Sequence, residues 1–146
     1  MAPSWLTVER VIAFVFTPIF LKGAEMLVGV CAPQLVPAKD LEEFHEVASI
    51  FSKASGLDLD PQAFSLFFGN CQVFGVLALH GLLGQFLATT ANCCFLVHLS
   101  GAVYVHIAKG ENIAPAAAFL ALAAGRLFYV LFIKMPAAPS AAGKRD

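Results

Sequence analysis

Apolar residues gather along the chain into four long runs separated by short polar breaks, and one segment between the first two follows a different rhythm. The first run, Val11 to Val30, predicts with its flanks a span over about 8–31. About twenty residues rising 1.5 Å each cover a hydrocarbon core roughly 30 Å thick. The run is too long for a signal peptide and lacks a basic start with a small-residue cleavage site. Pro33 and Pro37 end it. Three further runs predict spans over about 62–84, 87–108 and 114–134.

Residues 39–55 differ. Leu41, Phe44, Val47, Ala48, Phe51 and Ala54 recur at three- and four-residue steps, while Asp40, Glu42, Glu43, Glu46 and Lys53 fill the other side. That spacing predicts an amphipathic helix. Its acidic face is wrong for anionic lipid, so it is expected to cap the bundle. Gly56 closes it, and Asp60-Pro61 opens the next helix as cap and first-turn proline. The fold expected is an all-α membrane protein, a four-transmembrane-helix bundle with one amphipathic interfacial helix between spans 1 and 2. An Ala/Pro-rich tail over 136–146 follows, with no stable structure expected of it alone.

Composition strengthens this picture. Of 146 residues, 59% are hydrophobic and 13% charged, against about 45–50% and 25% in soluble domains. Nine basic and ten acidic residues give a net charge of −1, which leaves no electrostatic footprint for nucleic acid. Arg10, Lys134, Lys144 and Arg145 would lie on the side of the termini, and Lys39, Lys53 and Lys109 opposite. This slight basic bias places the termini in the cytoplasm, matrix or stroma.

Cys31, Cys71, Cys93 and Cys94 form no CxxC and no zinc spacing. Adjacent Cys93 and Cys94 point about 100° apart on a helix, so all four read as small apolar packing residues. Charges within the runs carry more. A charge at the bilayer centre costs about 2.5–3.5 kcal/mol, so Lys22, Glu25 and Arg126 need partners. Lys22 and Glu25 lie at i, i+3, and depth along the helices brings Arg126 within reach of both if spans 1 and 4 touch. A buried Lys22–Glu25–Arg126 cluster is expected, as structural glue or as part of a ligand or proton path. Arg126 and Tyr129 at i, i+3 could share a polar partner.

The histidines raise the question of a cofactor. Counted along their helices, His80 lies roughly 6 Å and His98 roughly 15 Å from one membrane face, a poor match for haem held by two histidines. Hydrogen-bonded packing is the ordinary role for them, with contact to a substrate, quinone or pigment the other. Gln72, His98, His106 and Tyr129 are therefore the candidate ligand-contacting residues; no cofactor, metal ligand set or catalytic constellation stands out. Ala117, Ala121 and Gly125 make a small-residue stripe on span 4, and Gly69, Gly75, Gly81 and Gly84 thin span 2. Such seams serve a tight bundle or a partner helix.

Several short motifs fit one family. Phe20-Leu21-Lys22-Gly23 in span 1, the amphipathic Leu41–Phe51 segment, Gly69-Asn70-Cys71-Gln72-Val73, Val105-His106-Ile107-Ala108-Lys109-Gly110-Glu111 and Gly125-Arg126-Leu127 lie in that order. Over about 11–133 the chain resembles the DoxX-like family, and within it the branch of the acetylcholine receptor chaperone. Gln72 stands where the family often has a glutamate. The resemblance implies either an assembly chaperone or a redox protein linked to thiosulfate and quinone, the latter dependent on partner subunits.

Three functions follow from this reading. The first is a non-catalytic accessory or assembly protein of a larger membrane complex, with membrane lipid and other membrane subunits as partners. The second is a redox protein tied to quinone or thiol chemistry. The third, a small transporter, has no internal repeat or broken-helix pair to support it. The expected location is an integral membrane one, in the mitochondrial inner membrane or endoplasmic reticulum ahead of the thylakoid.

Overall fold

The structure is a computed structural model that describes residues 8–134. The tail over 136–146 therefore lies outside the described residues. Six helices follow one another: α1 (Val8–Val15), α2 (Thr17–Cys31), α3 (Ala38–Ser55), α4 (Pro61–Leu79), α5 (Gln85–Lys109) and α6 (Ala114–Phe128). A 3₁₀ turn at Pro33–Leu35 joins α2 to α3, and π-helical turns over Tyr129–Lys134 extend α6. No strand occurs among the described residues. Three helices, α4, α5 and the stretch Ala114–Ile133, are long and apolar enough to cross a membrane. They point to an integral, multi-pass membrane protein. The first apolar run is not one straight rod, because α1 and α2 meet at an angle of 42°.

Proline explains the break. Pro18 has no N–H to give to the carbonyl of Phe14, four residues back, and its ring crowds that carbonyl. The hydroxyl of Thr17 donates to it instead, at 2.7 Å. Phe16, at the bend, is wholly buried and meets Phe95 and Phe119 edge-on, with ring centroids 5.3 and 5.5 Å away. Such pairs add about 0.5–1.5 kcal/mol each beyond burial. The kink thus turns a large ring into the core.

Helix α2 packs along α4, α4 against α5, and α5 against α6. Beyond the bend, α1 swings over to touch α4 and α6, which ties the two ends of this row together. The α2–α4 crossing is very close: a Cβ on Gly69 would sit 2.9 Å from the carbonyl oxygen of Gly23. Only glycine lets two backbones approach so nearly.

At the other end α3 lies against α2, α4 and α5. Its apolar stripe buries Phe44 and Ala48 in a second core with Met26, Val36 and Phe64. The capping role expected of the amphipathic segment is the geometry observed. Gly56, in the left-handed region at φ +70°, ends α3, and the Asp60 carboxylate accepts the N–H of Ala63 at 2.7 Å to start α4.

Two expectations need correction. The second span was expected to run to residue 84, but α4 ends at Leu79: Gly81 and Gly84 take φ of +80° and +85°, so residues 80–84 form the turn. These two glycines consequently pack against nothing and thin no helix. Gly125 and Ala121 do not seal the bundle either. They face outward, with open space beside Gly125.

Candidate functional site

The polar groups within the bundle divide into two places rather than one. Lys22 and Glu25 do pair, Nζ to Oε2 at 3.1 Å, on neighbouring turns of α2. Lys22 then reaches across to α3, 3.8 Å from Asp40 and 3.7 Å from Glu43, and lies 4.7 Å from the centre of the Phe44 ring. Arg126 is absent from this group, which corrects the expected three-residue cluster. The reason is packing: α6 lies mainly against α5 and touches α1 rather than running along α2, and α3 supplies the carboxylates that Lys22 meets.

Arg126 sits instead at the α1 end, 2% exposed. Its Nη1 donates to Asn92 Oδ1 at 3.1 Å, and Asn92 Nδ2 donates to the Ala123 carbonyl at 2.7 Å. The Glu9 carboxylate on α1 is near enough to act on the guanidinium electrostatically. Asn92, wholly buried, is thus a residue that sequence reasoning passed over. Its only sign was an amide in an apolar run. Tyr129 is half-buried where the π turns begin, and the polar partner expected to be shared with Arg126 does not form.

Gln72 and His98 come together between α4 and α5, Nε2 to Nε2 at 2.8 Å. Gln72 is 8% exposed; its Oε1 and His98 Nδ1 are buried without hydrogen-bond partners. Both residues line a cavity of about 140 Å³ beneath α3. Phe51, Phe64 and Phe68 form its walls, and Lys22, Glu43, His106, Lys109 and Glu111 surround its mouth. His106 Nδ1 lies 2.8 Å from Glu111, whose other oxygen is 3.0 Å from Lys109, and Lys109 is also 3.0 Å from Glu46 on α3. The Lys109 ammonium, followed by His106, holds the Glu111 carboxyl below its ordinary value. Gly110 in the left-handed region at φ +68° turns the chain so that Glu111 folds back onto these two partners. The charged loop after span 3 was legible, but its role as a clasp on α3 was not.

A second cavity of about 270 Å³ lies between α4 and α5 on their outer side, lined by Phe67, Cys71, Ala91, Cys94, Phe95 and Val97 and sharing Phe51, Phe68 and His98 with the first. Cys31, Cys93 and Cys94 are free and exposed, and Cys71 is half-buried. Of the four expected as small packing residues, Cys31, Cys93 and Cys94 thus lie on faces that turn outward, and Cys71 is partly enclosed. No group of three or more His, Cys, Asp or Glu among the described residues could hold a metal ion. Among the expected residues, then, the fold gathers Lys22, Gln72, His98 and His106 around one cavity, joins Glu25 to its rim through Lys22, and leaves Arg126 and Tyr129 elsewhere. No family model, curated protein or solved structure matches the chain.

Proposed function

We propose that the protein is a small accessory or assembly subunit of a larger membrane complex, of DoxX-like type, with α1 and α2 together forming one bent span of four. The observation that supports this reading best is the outward face of α6. Ala121 and Gly125 present small side chains to the surroundings, with nothing within 4 Å of the position a Gly125 Cβ would take. A partner helix can approach such a face closely, and van der Waals packing is what drives helix association in lipid. Mild solubilisation of native membranes followed by native electrophoresis tests it. Co-migration with larger subunits is expected, and Gly125→Leu should release the protein from them without unfolding it. Migration of the wild-type chain as a free monomer would reject the reading.

One observation favours the redox alternative: Cys71, Cys94 and His98 line a single apolar cavity. In that reading the thiols act with a partner subunit. Cys71→Ala and Cys94→Ala should then each abolish electron transfer to an added alkylquinone in native membranes, whereas an accessory role predicts no change.

A further inference from the structure

We propose that the turn between α4 and α5, residues 80–84, is a lipid anchor. It stays within the headgroup layer of the leaflet on the α1 side, with its apolar side chains in the bilayer, and does not emerge into water. The inference is independent of the accessory reading above and needs only α4 and α5 as spans.

The residues of the turn carry it. From Pro61 to Ala108 the chain contains no Asp, Glu, Lys or Arg, the turn included. Every residue from His80 to Leu87 is exposed, and Leu82, Leu83, Phe86 and Leu87 are 69%, 43%, 82% and 46% exposed. Large apolar side chains gathered on one tip mark a contact with membrane or protein. The geometry of the turn does not require them. Gly81 ends α4 as Gly110 ends α5, each in the left-handed region, at φ +80° and +68°. In both, the next amide reaches back five residues: Leu82 N–H to the Leu77 carbonyl at 3.3 Å, and Glu111 N–H to the His106 carbonyl at 2.8 Å. After Gly110 stands a glutamate, after Gly81 two leucines. One backbone form thus carries a charge at the α3 end and apolar side chains at the α1 end, so the surroundings account for the difference.

Length then sets the depth. Helix α5 has 25 residues, about 37 Å at 1.5 Å per residue. The hydrocarbon core is about 30 Å thick, and the bilayer about 40–45 Å with both headgroup layers. Lys109 marks the other face, where it pairs with Glu46 and Glu111. The start of α5 therefore clears the hydrocarbon by about 7 Å, and the turn falls in the headgroup layer. From that depth the side chains of Leu82, Leu83 and Phe86 can reach acyl carbons without a protein partner. The backbone agrees: the amides of His80, Gly81, Leu82 and Gly84 donate to the carbonyls of Val76, Ala78, Leu77 and Gly81. A turn that satisfies its amides internally tolerates a layer poor in water.

The test uses the full chain alone in lipid nanodiscs. The sequence holds one tryptophan, Trp5, so Trp5→Phe gives a dark background for a single reporter. Leu82→Trp and Leu83→Trp report from the turn, and Glu42→Trp from the acidic face of α3. All three positions are exposed, and circular dichroism would verify that each variant is folded. Aqueous acrylamide should quench either turn reporter at least threefold less than Glu42→Trp. Lipids brominated on their acyl chains should quench the turn reporters at least twofold and leave Glu42→Trp unchanged. Acrylamide quenching as strong in the turn as at Glu42→Trp would overturn the proposal. So would shielding without any response to bromine, which would mean that the turn packs on protein instead of lipid.

Discussion

The two ends of this bundle hold positive charge in opposite ways. At the α1 end the Arg126 guanidinium, 2% exposed, rests on Asn92, with Glu9 nearby. At the α3 end Lys22 is 39% exposed at its side chain and faces three carboxylates at once. The first arrangement is sparse and buried, the second crowded and half-exposed. Energetic weight should run against the number of contacts: the lysine keeps two carboxylates when one is lost, while the buried arginine has few groups to take over from Asn92. The α1 end should therefore behave as a structural keystone, and the α3 end as an adjustable clasp.

Substitutions can break that contrast. Asn92→Leu leaves the buried guanidinium without its acceptor and should cost about 3 kcal/mol, read as a fall in the thermal midpoint in detergent. Adding Arg126→Met removes the stranded charge, and the double variant should recover most of the loss. If the single and double variants melt together, the Arg126–Asn92 bond is not what holds this end. A purely steric control comes next. Gly69→Ala drives a Cβ to 2.9 Å from both the Gly23 oxygen and the Leu27 side chain, and should cost about 1–3 kcal/mol by overpacking, seen in the same melt.

Effects at the α3 end should be smaller. Lys22→Met is expected to cost about 1 kcal/mol, given exposed pairing and one ring contact. Limited proteolysis should detect it as faster cleavage within 38–55, with the spans unaffected. Least of all should be the effect of acid. Glu111 is held below its ordinary pKa by Lys109 and His106, with Glu46 competing for the same lysine. A carboxyl lowered in the folded state contributes stability above its unfolded value, near 4.5, and loses it as pH falls through the lower folded value. The thermal midpoint should thus drop on going from pH 6 to pH 3, and Glu111→Gln should make that drop shallower. Equal slopes would remove Glu111 from the clasp.

The helices were legible because their signals are local. Apolar run length located α4, α5 and α6, three- and four-residue spacing located α3, and Gly56 with Asp60-Pro61 marked the junction between α3 and α4. The bend at Pro18 was legible as well, because a proline inside an apolar run kinks or breaks the helix, but run length alone does not carry it. Nor could depth along the helices decide the partners of Arg126. Depth says how far a residue lies from the membrane face, but not which way it points or which helix stands next to it. The pairing of Gln72 with His98 was hidden for the same reason, although both residues had been singled out.

The swing of α1 also bears on the order in which the molecule can be completed. Helix α1 is made first, yet it closes against α6, which is made last. Likewise α3 rests on α4 and α5, both of which follow it on the ribosome. The contact of α1 with α6 must therefore wait until α6 is made, and that of α3 with α5 until α5 is made. Until then Phe16 has neither Phe95 nor Phe119 to meet, and a nascent chain halted after α4 would have the first helix and the amphipathic one half seated, on α4 but without α6 and α5.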